Sequence, residues 1–324
     1  MPKIPATLII DDGACFNLMH WLHIEEAQPL QIPPAFTQRF ADLCQRYGVK
    51  GKYSVPPMPS GAGRIDERLS YVPAEVLDTF LRVVRDEIAP SFDITPEILT
   101  HQAALDLASG RLLHLYEDEW FRTATVAQMT DYLSLSFRIL RNVGLNPTGV
   151  TSPWDTGIHQ EPQYAEAIAR AYYRVTRRTF CWYFLHCLGG SAPRHPWVSW
   201  QDPQRKLTVV SVPALTDDAF WNTQTQSTEA ASRQVALDNV DQLLTRDGRQ
   251  GRLRELYDGG FPLIILTHWQ SLFSRGWATG LDGLGETFAR IQRTFGDNVK
   301  WMRFGDLART ALRPVPSTPR SNRD

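Results

Sequence analysis

The chain has 324 residues, with 34 Lys and Arg against 35 Asp and Glu, so its formal net charge is −1. This balance gives no electrostatic case for nucleic acid or an anionic membrane as a partner. The four cysteines include no CxxC pair, which indicates reduced core thiols rather than disulfides or a zinc cage. The N-terminus lacks the pattern of a signal peptide, and no apolar run is long enough to span a bilayer. We therefore expect a soluble cytoplasmic protein.

A short apolar run near the N-terminus, residues 7–10, leads directly into Asp11, Asp12 and Gly13. Such a run predicts a buried strand that holds the following residues rigidly, and the glycine permits a sharp turn at its exit. Successive residues of an extended chain point to opposite sides. One carboxylate could therefore ligate a metal while its neighbour acts as a base. An ordinary polar turn is the competing interpretation.

Helices and strands are predicted to alternate along the rest of the chain. Apolar spacing and end signals predict helices over 36–47, 73–84, 125–142, 164–175, 229–244, 285–294 and 306–312. Further strands are predicted over 51–55, 92–101, 149–154, 179–185, 207–212, 262–269 and 299–302. The acidic triplet 117–119 is interpreted as a solvated helix start.

This alternation, without an internal repeat or linker, predicts one α/β domain over residues 1–312, a single (β/α) barrel. A doubly wound sheet is the alternative. Such a sheet is expected to carry a glycine-rich phosphate loop, and the chain has no GxGxxG or GxxxxGK[ST] motif. The tail 313–324 is polar and is predicted to be disordered.

Five residues whose side chains could take part in catalysis or binding lie at the ends of predicted strands: Asp11, Asp12, His101, Trp154 and His268. A barrel would gather them at one rim. A metal held by carboxylate and imidazole can polarise a carbonyl, a second carboxylate can take a proton from water, and a histidine can protonate a leaving amine. The set is suited to cleaving an amide or an ester. The alternative is that the two histidines are hydrogen-bonded or packing residues and that the tryptophan belongs to the core.

These motifs, in this order, resemble the polysaccharide deacetylases (NodB homology, carbohydrate esterase family 4). Ile9-Ile10-Asp11-Asp12-Gly13 matches the family's Thr-Phe-Asp-Asp-Gly, and residues 97–101 match the approach to its first metal histidine. Residues 151–154 resemble its Arg-x-Pro-Tyr motif, and residues 264–268 match its late apolar strand that ends in histidine. The resemblance covers nearly the whole chain and implies the distorted seven-stranded barrel of the deacetylases.

The resemblance also implies roles. Asp11 would be the catalytic base, His268 the catalytic acid, and Asp12 and His101 ligands of a divalent metal such as zinc. The family's second metal histidine falls at Leu105, so the third ligand is assigned to another histidine: His23, with His20 and His114 as alternatives. The residues expected to bind substrate are Thr151, Pro153, Trp154 and Trp269. Thr151 stands where the family has an arginine that steadies the base carboxylate.

We therefore expect a deacetylase-like hydrolase of C–N (amide) bonds other than peptide bonds, working with or without a metal. Its substrate would be a small molecule or a carbohydrate, and the sequence allows a homo-oligomer. The alternative is a catalytically inactive relative that only binds a carbohydrate or metabolite, because a fold does not fix a function.

Overall fold

The structure is a computed structural model, and it describes residues 3–18 and 31–313. His20, His23 and residues 314–324 of the predicted tail lie outside the described residues. The strands are β1 (Ile4–Asp11), β2 (Gly51–Val55), β3 (Phe92–Pro96), β4 (Ala103–Asp106), β5 (Arg111–Tyr116), β6 (Val150–Thr151), β7 (Phe180–Phe184), β8 (Trp197–Asp202), β9 (Leu207–Ser211), β10 (Leu263–His268) and β11 (Val299–Trp301). The α-helices are α1 (Pro34–Tyr47), α2 (Ala74–Val83), α3 (Glu117–Phe121), α4 (Val126–Asn142), α5 (Glu161–Thr176), α6 (Glu229–Leu243), α7 (Arg252–Asp258), α8 (Trp269–Phe273), α9 (Thr279–Phe295) and α10 (Phe304–Ala308).

Two mainly parallel sheets form the centre of the fold. The first has the order β10-β1-β2-β3, with β11 also pairing with β1, and all its pairings are parallel. The second has the order β6-β7-β9-β8, in which only β8 runs antiparallel to its neighbour. Strands β4 and β5 form a separate antiparallel hairpin. The predicted α/β class with parallel strands is confirmed.

The two sheets are joined by isolated bridges rather than by continuous ladders. One bridge pairs Glu97, which follows β3, with Thr151 of β6. Another pairs Asp218, in the loop after β9, with Leu266 of β10. Among the described residues, strand pairing therefore does not close the single barrel that the sequence predicted. The physical reason is local: β6 has only two residues, and Pro213, just after β9, has no N–H to donate to a ladder.

Helices cover the first sheet, so β1, β2, β3 and β10 are buried on both faces, while β11 at its edge is partly exposed. The burial is complete from Ala6 to the end of β1 and throughout β2 and β3, as expected for parallel strands. An aromatic cluster packs beneath the strands: the ring of Trp269 lies 4.9 Å from Phe36, 5.4 Å from Phe40 and 5.2 Å from Tyr53. The first sheet is thereby fixed to α1 and α8.

Most predicted elements are present, with ends shifted by a few residues. The predicted strand 51–55 matches β2 in full, and α4 begins after the Thr125 cap, whose side chain accepts a bond from the Gln128 N–H. The β4–β5 hairpin, β8, α7 and α8 were not predicted. The prediction for Glu117 was wrong in part: this residue begins α3 as expected but is fully buried rather than solvated. No helix in residues 3–18 and 31–313 is both long and apolar enough to cross a membrane.

Candidate functional site

The register between β1 and β10 brings two predicted catalytic residues side by side. Asp11 and His268 are paired positions at the carboxyl ends of these neighbouring parallel strands. Asp12 follows immediately, with a φ of 63°, and its neighbour Gly13 is packed against the ring of Tyr53. A Cβ at position 13 would lie 2.2 Å from that ring, so this glycine permits close packing, while the left-handed turn falls on Asp12.

A buried cluster of three potential ligands lies at this end of the sheet. Oδ1 of Asp12 is 2.7 Å from Nε2 of His101, which in turn is 3.8 Å from Oε1 of Glu97. The ligand atoms of the three residues all lie within 4.8 Å of one another. Asp12 and His101, both predicted as metal ligands, are therefore together, and the third member is Glu97, which was not predicted as a ligand.

Several residues at this cluster, as at other turns of the described chain, have a left-handed backbone conformation. Asp12, Ile98, His101 and Trp154 all have positive φ values, between 46° and 63°. Non-glycine residues adopt this region at an energetic cost, and such residues collect at functional sites, where the surrounding structure holds them. The strain here orients the two ligands Asp12 and His101, as well as the aromatic side chain beside them.

The cluster fits a divalent cation on two grounds. First, Oδ1 of Asp12 is buried and has no hydrogen-bond partner, because the short approach of His101 lacks hydrogen-bond geometry. A buried carboxylate oxygen that no hydrogen bond satisfies is costly unless a nearby cation, here protonated His101 or a metal ion, balances its charge. Second, two carboxylates and one imidazole are a donor set that first-row divalent metals accept.

Neighbouring groups hold these ligands in place. The other oxygen of Glu97, Oε2, accepts hydrogen bonds from the Asp12 N–H and the Ser54 hydroxyl, both at 2.6 Å. The buried Glu117 accepts the backbone N–H groups of Thr100 and His101, at 2.8 and 2.9 Å. Such outer contacts orient metal ligands.

The charges in the cluster shift the pKa values of all three residues. Burial alone would raise the pKa of Asp12, but His101 lowers it to about 2. Burial, together with the charges of Asp12 and Asp11, raises the pKa of Glu97 to about 8. Burial acts to lower the pKa of His101, but Asp12 and Glu97 outweigh it and raise this pKa to about 10. Protons on Glu97 and His101 therefore balance the negative charge that the clustered carboxyl groups would otherwise carry.

The second histidine, His268, is oriented by a carboxylate. Its Nδ1 is 2.8 Å from Oδ2 of Asp218, and this oxygen also accepts a bond from the Ser271 hydroxyl at 2.6 Å. Burial acts to lower the pKa of His268, but the hydrogen bond and charge of Asp218 raise it to about 10. His268 therefore carries a proton at neutral pH, and the contact through Nδ1 leaves Nε2 to meet a ligand.

A buried cation contacts Asp11. Lys52 of β2 is fully buried, and its Nζ contacts Oδ1 of Asp11 and donates to Oγ1 of Thr151 at 2.6 Å. Thr151, expected to bind substrate, is itself buried and faces this lysine rather than open space.

The other predicted site residues fall in different environments. Trp154 is 45% exposed and lies edge-on to His101, with ring centroids 4.8 Å apart. Pro153 is buried, and Trp269 is fully buried in the aromatic core, where its Nε1 donates to the Ala14 carbonyl. Trp269 therefore cannot serve as the substrate contact that was expected. His114 is exposed on β5 and does not belong to the ligand cluster.

Three residues of the site have no role assigned to them from the sequence: Lys52, Glu97 and Asp218. A usable signal existed for Lys52, since a lysine within an apolar strand must find a buried partner. Glu97 lies four residues before His101, but outside a helix that spacing does not by itself place two side chains together.

Comparisons with known proteins indicate the fold. No family model and no curated protein matches the chain. Among solved structures, a "putative polysaccharide deacetylase" from Mycobacterium smegmatis is 15% identical, with 96% of this chain and 94% of that chain covered and a TM-score of 0.50. A mutant of a CE4 family pseudoenzyme with restored enzymatic activity is 10% identical, with 95% and 68% covered and a TM-score of 0.42. The 4-alpha-glucanotransferase from Thermococcus litoralis has a TM-score of 0.44, at 10% identity and with 95% and 40% covered. At this identity, the likeness to the first structure shows a shared fold.

Proposed function

We propose that this protein is a deacetylase-like hydrolase of C–N bonds other than peptide bonds. We also propose that its two sheets correspond to the distorted barrel of that fold, interrupted at β6 and after β9. The observation that carries the proposal is the juxtaposition at the end of β1: Asp11 lies beside His268, and Asp12 lies in the cluster with Glu97 and His101.

Asp12, Glu97 and His101 would hold a divalent metal, for which we propose zinc. When bound there, such an ion would polarise the substrate carbonyl and make a water molecule more acidic. Asp11 is the proposed base that takes the proton from the attacking water. It comes from the same strand end as Asp12 but is engaged by Lys52 rather than by the ligand cluster, so the two carboxylates have separate tasks.

His268 is the proposed acid. An amine leaves an amide only when it is protonated, whereas an alcohol leaves an ester more readily, so a protonated histidine favours amide cleavage. The pKa of His268, raised to about 10 by Asp218, keeps this proton available at neutral pH. The contact at Nδ1 fixes the ring, so that the proton on Nε2 is the one to be transferred.

The test is turnover on a panel of N-acetylated sugars and small linear and cyclic amides. The readouts are released acetate for the sugars, released ammonia or amine for the linear amides, and the ring-opened amino acid for the cyclic amides. Asp11→Asn and His268→Ala should each lower kcat by roughly 100-fold or more. Asp297→Asn, at an exposed surface position, is the matched control and should behave like the wild type. Absence of any turnover that depends on Asp11 would exclude the hydrolase.

A second candidate function is binding without catalysis. The exposed ring of Trp154, with Tyr116 5.6 Å away and 51% exposed, offers an aromatic surface on which a sugar ring could stack. A protein of this kind would bind acetylated sugars without turnover, and Trp154→Ala would abolish binding while Asp11→Asn would not.

A further inference from the structure

Lys52 is the most deeply buried cation at the candidate site. It lies in β2 between apolar neighbours, with no exposed surface. Its Nζ contacts Oδ1 of Asp11, donates to Oγ1 of Thr151 and lies 5.0 Å from the centre of the Phe184 ring. A buried lysine is strongly unfavourable unless it is paired. The buried charges of Lys52 and Asp11 therefore each depend on the other for compensation.

The surroundings of Asp11 explain why a cation is needed there. Asp12 is the next residue, and the charge of Asp11 is close enough to contribute to the raised pKa of Glu97. Three carboxyl groups therefore share a small buried volume. His101 compensates Asp12 and Glu97 directly, and Lys52 is the group in contact with Asp11.

We propose that Lys52 is the positioning residue for the base Asp11. It holds Oδ1 and so leaves Oδ2 to accept the proton of the attacking water, while Thr151 and the ring of Phe184 hold the ammonium group in place. This inference rests on the proposed function, in which Asp11 is the base. Lys52 itself touches no reacting atom.

Position 151, on another strand, offers a way to test whether a cation alone is required. Oγ1 of Thr151, on β6, lies only 2.6 Å from Lys52 Nζ. An arginine at position 151 therefore starts close to the same carboxylate, and its guanidinium could occupy the space that a shortened residue 52 leaves. The positioning role predicts that a positive charge at this point is sufficient, whichever strand supplies it.

Kinetics test the positioning role. With any substrate of the N-acetyl and amide panel, Lys52→Met should lower kcat roughly 100-fold while KM changes by less than about threefold, because substrate contacts are kept. Lys52→Arg should retain more activity than Lys52→Met. The exchange Lys52→Ala/Thr151→Arg should recover at least about 10-fold in kcat over Lys52→Ala alone. A wild-type kcat in Lys52→Met, or no recovery in both charge-restoring variants, would overturn the proposal.

Thermal unfolding tests the pair without any need for activity. Lys52→Met leaves Asp11 buried without its partner and should lower Tm by about 6 °C. In a double-mutant cycle, Asp11→Asn/Lys52→Met should lose much less than the sum of the two single variants. Additive losses would overturn the pairing whatever the kinetics show. Coupled losses with no Asp11-dependent turnover in the wild type would instead refute the proposed function, and the positioning role with it.

Discussion

At the scale of single residues, the two histidines of the site differ in the partner that faces their charge. His268 has a hydrogen-bonded partner in Asp218, which is itself fixed by Ser271 and by the Phe220 N–H. His101 faces an oxygen of Asp12 without a hydrogen bond. The first arrangement is complete within the protein, as a proton donor requires, whereas the second is the one proposed above to take a metal ion.

The pairing of His268 with Asp218 should make stability depend on pH. The pKa of His268 is raised from about 6.5 to about 10 in the folded protein. The pair therefore contributes its full stabilisation below pH 6.5, and this contribution is lost as the pH rises toward 10. Asp218→Asn should lower the free energy of unfolding most at pH 6, and its difference from the wild type should shrink steadily toward pH 10. Urea unfolding at a series of pH values measures this.

Asp131→Asn provides the control for that experiment, because it removes an exposed carboxylate that pairs with an arginine and no histidine. Its effect should be small and nearly constant over the same pH range. A loss of unfolding free energy in Asp218→Asn that did not change between pH 6 and pH 10 would contradict the raised pKa of His268. The proposed role of His268 as the acid would then lose its electrostatic basis.

At the scale of the elements, the site depends on how closely β1 and β2 pack. Gly51 begins β2 opposite Leu8, and a Cβ at position 51 would lie 1.9 Å from the Leu8 carbonyl oxygen. A side chain there must push the two strands apart, and Lys52 is the next residue. Gly51→Ala should therefore lower Tm by about 5 °C or more and should lower activity as Lys52 moves away from Asp11.

Gly190→Ala is the matched control, since its Cβ would have no atom within 4 Å and its backbone needs no left-handed conformation. Differential scanning fluorimetry of the two variants compares them directly. A Gly51→Ala protein as stable as the Gly190→Ala protein would mean that the strand spacing is not tightly fixed.

The sequence predicted the strands of the site better than its side-chain pairs. Apolar runs that end in polar residues located Asp11, Asp12 and His268, because a strand end is a local feature. The Lys52–Asp11 and Glu97–Asp12 contacts join residues 41 and 85 positions apart, and strand order and register set them, which no local pattern encodes. The β4–β5 hairpin was missed because β5 is exposed on nearly all residues and shows no clean alternation.

At the scale of the whole molecule, the α/β class was predictable and the closure of the barrel was not. Alternating helices and strands favour parallel sheets, and this part is confirmed. Whether the sheets join depends on a few hydrogen bonds near β6 and Pro213, where the chain supplies single bridges instead of ladders. The ligand cluster lies beside one of these joints, since Glu97 also bridges to Thr151.

A cation at the cluster should therefore stabilise the entire fold. It would link the end of β1 to the segment after β3 and would bind only the native chain, which stabilises a protein by about 2.7 kcal/mol at 100 times the Kd. After chelator treatment, adding zinc, manganese or cobalt should raise the wild-type Tm by about 5 °C. Glu97→Gln should show a smaller rise that needs at least about 10-fold more metal, and Asp12→Ala/His101→Ala should show none.

Elemental mass spectrometry on the same samples connects the shift to bound ions, and Glu229→Gln, an exposed carboxylate on α6, is the control that should respond like the wild type. An equal shift in every variant would mean that the ions act elsewhere on the surface. A shift lost with Asp12 and His101 but unchanged in Glu97→Gln would remove the glutamate from the ligand set. No shift and no bound metal in the wild type would leave Asp11 and His268 as a metal-free pair, because the contacts of Lys52 and Asp218 hold those two side chains independently of the cluster.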